Sequence, residues 1–169
     1  MLALVVMLGS AGLFYGAQPT SFTITRSRTI AAPPPRVMAQ LADLRAYDAW
    51  DPWPASPGAT PTVTYSAVPV GVGAWIDRRD AEGGARTTIL SITGDRIVYS
   101  NETSGALGGN VSTQSFTLRA SGASTEVVWT FGAPLRGLAR LLWPFVHVDR
   151  RLAPEMDAAL VRLDRAATL

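Results

Sequence analysis

The sequence predicts an α+β domain: a curved antiparallel sheet of about seven strands wrapped around a long C-terminal helix, with an apolar helix ahead of it. Three observations predict it. Side-chain polarity alternates from Phe22 onward and in six later β-prone runs separated by turn residues. The last stretch carries apolar residues at helical spacing. The first seventeen residues contain no charged side chain.

A chain of 169 residues allows one globular domain. With 47% apolar and 17% charged residues it can bury a core. The absence of cysteine excludes disulfides, thiolate catalysis and sulfur-ligated zinc. His147 is the single histidine, and no Asp/Glu cluster has ligand spacing, so neither a metal nor a cofactor is expected. All 15 cationic residues are arginine, scattered and interleaved with acids, for a net charge of +2. No basic stripe suited to nucleic acid results. Gly71-Val72-Gly73 falls between strands, not before a helix, and does not read as a phosphate loop.

Residues 1–18 read as an N-terminal anchor. As a helix, the seventeen-residue apolar run spans about 26 Å, slightly under the roughly 30 Å of a bilayer core. No basic residue precedes the run, and Tyr15 stands where a signal peptidase needs a small side chain. A single-pass membrane anchor is therefore expected ahead of a cleaved signal or a buried terminal helix. Gly12 and Gly16 would let two such helices approach, giving a weak homodimer. Arg26, Arg28 and Arg36 follow the segment, but a short leader leaves the side of the membrane open.

The domain proper is expected over 22–167. Phe22, Ile24 and Ile30 share one parity of a first strand, and Arg26 and Arg28 interrupt it, predicting a bulge or a strand edge. Pro33-Pro34-Pro35 opens a helix with Val37, Met38, Leu41 and Leu44 on one face, ending near Tyr47 before Asp51-Pro52-Trp53-Pro54. A Pro-, Ser- and Gly-rich loop follows. The six runs are Thr62–Val68, Gly73–Arg79, Arg86–Thr93, Arg96–Asn101, Val111–Arg119 and Thr125–Phe131. Their short separators imply hairpins and an antiparallel meander. Leu135, Leu138, Leu141, Leu142 and Phe145 form the apolar side of a further helical piece, with Pro144 kinking or ending it. Pro154 begins or bends the final helix, whose stripe is Met156, Ala159, Leu160 and Leu163.

A sheet that bends around a terminal helix encloses space for a small hydrophobic ligand. The side chains expected to line it are Tyr65, Trp75, Leu90, Ile92, Tyr99, Phe116, Leu118, Val127 and Trp129 from the sheet, with Met156 and Leu160 from the helix.

The order of these pieces resembles the START-like superfamily, in its polyketide cyclase/dehydrase branch. Ile30-Ala31-Ala32-Pro33, then Val37, Leu41, Asp43 and Leu44, carry the first part of the resemblance. Trp50-Asp51-Pro52-Trp53, Val63-Thr64-Tyr65-Ser66, Gly71-Val72-Gly73-Ala74, Thr125-Glu126-Val127-Val128-Trp129 and Asp149 carry the rest. The resemblance implies a helix-grip fold and the binding or processing of apolar molecules. It supplies no catalytic motif, and many similar members carry an N-terminal anchor.

The expected function is a membrane-tethered module that holds a lipid or other small hydrophobic molecule. One alternative is a cyclase- or dehydratase-type enzyme, for which Tyr65, Tyr99 and Asp51 are the acid and base candidates. Another is a structural or stress-related protein whose cavity is filled by its own aromatics. Asp51 also reads simply as a turn former, Asp77 to Asp80 as a solvated rim, and His147 as a helix-end or turn residue. Glu102 and Gln114 are candidates to face each other across strands. The stretch Leu135 to Val148, apolar with arginine alone on its polar side, packs on the sheet edge, lies in a membrane interface, or gates the cavity.

Overall fold

The computed structural model describes residues 15–51, 53, 60–81, 83–105, 109–145 and 148–169. Most of the expected anchor, and His147, lie outside them. Among the described residues no helix is long and apolar enough to cross a membrane.

Strand β1 (Ser21–Ile30) leads into helix α1 (Pro34–Ala42) and a 3-10 turn at Tyr47–Ala49. Then come β2 (Thr62–Tyr65), β3 (Trp75–Arg79), β4 (Gly83–Thr93), β5 (Arg96–Gly105), β6 (Asn110–Ser121) and β7 (Ser124–Pro134). The chain ends in α2 (Gly137–Leu142), a 3-10 turn at Trp143–Phe145 and α3 (Val148–Thr168). The seven strands form one antiparallel sheet in the order β1-β7-β6-β5-β4-β3-β2. The meander is β2 to β7, and β1 closes onto its last strand. Gly94 and Gly122 turn the β4–β5 and β6–β7 hairpins at φ +48° and +63°, where a side chain would be strained.

Strand β7 shows the alternation in its simplest form: Thr125, Val127, Trp129, Phe131 and Ala133 are buried and every residue between them is partly exposed. These side chains face α3, which packs on β1 and α1 and contributes Met156, Ala159, Leu160 and Leu163 to the same core. The Thr125 hydroxyl donates to the Ala32 carbonyl at 2.7 Å and fixes the chain as it leaves β1.

Of the two readings of Arg26 and Arg28, the strand edge holds and the bulge does not: β1 is an edge strand of the sheet and pairs with β7 in continuous register from Ser21↔Pro134 to Ile30↔Thr125. Arg26 and Arg28 keep the parity of Ile24 because acids on α3 meet them. Arg26 pairs with Asp157 at 3.6 Å. Arg28 donates twice to Asp164, each at 3.2 Å, and the other oxygen of Asp164 accepts from Ala31 N–H at 3.0 Å. Helix α1 stops at Ala42, because the Asp43 carboxylate accepts from the Arg45 N–H and Leu44 N–H donates to Pro69 instead of continuing the helix. Helix α3 runs through Pro154, having begun six residues earlier at Val148. Finally, Leu90 turns outward, 51% exposed, at a register shift between Ile89 and Ser91. One extra residue in the strand reverses the faces, so Ile89 and Ile92 both point to the core and Leu90 does not.

Candidate functional site

The concave face under α3 is built around stacked aromatic rings. Phe116 lies at its centre, stacked on Trp129 with centroids 4.9 Å apart. Trp50 and Tyr99 meet it edge-on at 5.6 and 5.9 Å. Tyr47 packs on Trp50 at 4.6 Å, and Trp53 on Phe131 at 5.3 Å. The sheet places Phe116 opposite Trp129 in register, whereas Tyr47 and Trp50 arrive from the turn after α1.

Of the side chains expected to line the interior, Tyr99, Phe116, Leu118, Val127, Trp129, Met156 and Leu160 are buried in this cluster, and Tyr65 and Ile92 are partly buried against it. Leu90 and Trp75 are not. Trp75 points to the convex face: its neighbour Ile76 faces inward opposite Tyr65, which sends Trp75 and Asp77 the other way. There the Arg86 guanidinium covers the Trp75 ring at 4.4 Å.

Polar groups are embedded among the rings. Gln114 is opposite Tyr99, not Glu102, which faces Val111. The Gln114 amide nitrogen donates to Tyr47 Oη and to Asn101 Oδ1, both at 3.4 Å, and Thr87 Oγ1 donates to Asn101 Oδ1 at 2.9 Å. Among the described residues, four buried atoms in this region have no hydrogen-bond partner: Trp50 Nε1, Trp129 Nε1, Asn101 Nδ2 and Gln114 Oε1. Rotating the two amides does not remove the deficit. It exchanges the atoms directed at each other and leaves one donor and one acceptor at the outer ends of the pair. The two indoles have only a donor to offer and nothing to rotate.

Tyr99 and Asp51 are held by separate partners, and among the described residues no hydrogen bond links any two of the three acid–base candidates. Tyr99 Oη donates to the Leu41 carbonyl at 2.7 Å and ties β5 to the end of α1. Burial pushes its phenol well above the ordinary value, with Tyr47 adding to the shift. Asp51 accepts from Trp53 N–H at 2.8 Å, the turn role, and pairs with Arg78 at 3.4 Å. Its carboxylate is 13% exposed, and burial raises its pKa above 3.8 against the opposing pull of Arg78. Arg162 of α3 donates to the Asp51 carbonyl at 2.7 Å, tying the helix to this loop. Tyr65 stands at the edge of the cluster, partly buried. Arg78 faces inward over the Tyr47 ring at 5.1 Å, whereas Asp77 is buried on the convex side between Arg79 and Arg86. The stretch read as a solvated rim therefore divides between the two faces. Among the described residues no three acidic or histidine side chains are grouped to hold a metal.

A groove of about 430 Å³ opens between α1 and the β4–β5 turn, lined by Pro34, Met38, Ala42, Gly94 and Leu118. Leu118 is shared with the buried cluster.

The fold has solved relatives. A protein from Rhizobium leguminosarum is similar at TM-score 0.60 and 17% identity, over 88% of this chain and 95% of that one. A protein from Chromobacterium violaceum is similar at TM-score 0.61 and 17% identity, over 86% and 96%. Truncated norcoclaurine synthase from Thalictrum flavum is similar at TM-score 0.59 and 14% identity, over 85% and 93%. At these identities the likeness is one of fold. Compared with curated protein sequences, the chain finds no match. Residues 21–168 match the family described as polyketide cyclase / dehydrase and lipid transport, and the chain belongs to that family.

Proposed function

We propose that the domain binds a small hydrophobic molecule, a lipid or a compound like it, between the sheet and α3, and that residues 1–18 tether it to a membrane. The ligand has an apolar body and at least one oxygen that accepts hydrogen bonds. One observation carries this reading: the unpartnered Trp50 and Trp129 N–H groups and the outer ends of Gln114 and Asn101, all within an aromatic interior. A core that only had to be packed would gain by being apolar there, because each orphaned polar group costs about 1–3 kcal/mol. A ligand oxygen that accepts from the indoles offsets that cost, and burial of its apolar body at ~25 cal/mol per Å² supplies affinity. The family description, which includes lipid transport, agrees with this reading.

Native mass spectrometry of the full chain tests it. The expected spectrum shows the chain with a copurifying apolar molecule, and the delipidated chain should take up dodecanoate. A bare chain that leaves dodecanoate unbound would favour the interior filled by its own aromatics.

An enzymatic reading rests on Asp51, a largely buried carboxyl whose proton is held more tightly than usual. Tyr99 contributes nothing to it, since its hydroxyl proton is committed to Leu41.

A further inference from the structure

We propose that α2 and the 3-10 turn after it form a docking face for an anionic lipid bilayer. This deepens the tethering just proposed and rests on it. Leu138, Leu141, Leu142 and Phe145 are all exposed, the first and last by 68% and 75%. Single exposed apolar side chains are ordinary on a water-facing surface, but four large ones within eight residues mark an interaction site.

Two features select a lipid surface as the occupant. The first is charge. No acidic residue occurs between Glu126 and Asp149, and none before Asp43. These two acid-free stretches meet at α2: Leu135 N–H donates to the Thr20 carbonyl at 2.7 Å, and Phe22 stacks on Trp143 at 5.2 Å. The corner they build offers apolar and cationic groups together, with Arg136 exposed beside Leu138. That combination matches acyl chains beneath anionic headgroups.

The second feature is where the apolar leader departs. Arg140 donates to the Gln18 carbonyl at 2.7 and 3.0 Å and to the Gly16 carbonyl at 3.2 Å, and its guanidinium covers the Tyr15 ring at 4.7 Å. This arginine fastens Tyr15–Gln18 to α2. The fourteen residues ahead of Tyr15 carry no charge. A bilayer that takes them up therefore meets the exposed face of α2 at the point of entry.

The absence of cysteine permits single spin labels on the full chain. Labels would be placed through Leu138→Cys, Phe145→Cys and, as a control on the convex sheet, Leu90→Cys. The chain is mixed with vesicles of phosphatidylcholine containing one third phosphatidylglycerol, and flotation is followed by accessibility to oxygen and to a nickel chelate. The labels at 138 and 145 should become shielded from nickel and accessible to oxygen, whereas the label at 90 should not change. Arg136→Glu should lower the docked population about fivefold. Flotation with nickel-accessible labels at 138 and 145 would overturn the docking face and leave the tether standing. Failure to float would overturn both. Shielding of the two labels without vesicles would overturn it too, showing a second copy (if the labels broaden each other) or the leader folded over the face.

Discussion

Replacing Gln114 with leucine separates an interior built for a ligand from one built for packing. The side chain is fully buried, and its two hydrogen bonds, both 3.4 Å long, lie beyond the usual 2.9–3.0 Å. At the low end of the scale they contribute about 0.5 kcal/mol each. Against them stands the partnerless Oε1, which costs about 1–3 kcal/mol. Gln114→Leu removes both contributions and leaves Asn101 Oδ1 still bonded to Thr87. The ligand-free variant should therefore be as stable as the parent, or more stable by up to about 2 kcal/mol. Urea unfolding reads this as an unchanged or higher midpoint at constant slope. In the same variant, 1-dodecanol, whose hydroxyl can donate to Gln114 Oε1 while accepting from an indole, should bind at least tenfold more weakly, the pattern of a site that trades stability for function. A loss of more than about 2 kcal/mol would show that Gln114 holds the core together, and would refute the claim that its polarity is carried for something else.

Other perturbations follow from the same geometry. Ile89→Ala should cost about 2–5 kcal/mol in chemical unfolding, while Leu90→Ala stays within about 0.5 kcal/mol; the reverse order would contradict the bulge. Tyr99→Phe should cost about 1–3 kcal/mol by leaving the Leu41 carbonyl unpaired, and hydrogen exchange should rise first at the C-terminal end of α1. Asp51 binds its proton more tightly folded than unfolded, so its ionisation opposes folding. Relative to Asp51→Asn, the parent should lose stability as the pH rises from 3.8 through the folded pKa and differ by a constant amount above it. A parent that gains stability relative to the variant over that interval would contradict the raised pKa.

The strands were readable because alternation is local. Each of the six runs contains the core of an observed strand, and β7 follows the period of two along its whole length. Which face a run presents was not always readable. In β3, Trp75 and Ile76 are both apolar, and only the pairing of Ile76 with Tyr65 decides between them. In β4, the bulge at Leu90 is a property of two strands, so one strand cannot announce it. Arg26 and Arg28 looked like a break because their partners, Asp157 and Asp164, lie on the opposite end of the chain. The polar interior had a signal: Gln114 shares parity with Phe116 and Leu118, and Asn101 with Ile97 and Tyr99. A polar residue on an apolar face marks a buried hydrogen-bonding group. Tyr47 and Trp50 had none, since they follow the end of α1 and belong to no periodic pattern.

Indole resonances give the most direct view of whether the interior receives a ligand. In a proton–nitrogen NMR titration of the full chain with dodecanoate, the Nε1–H signals of Trp50 and Trp129 should move downfield together as they gain an acceptor. Those of Trp75, on the convex face under Arg86, and of Trp143, stacked on Phe22, should stay in place. Stationary Trp50 and Trp129 signals, or movement confined to Trp75 or Trp143, would mean that the molecule binds elsewhere or not at all.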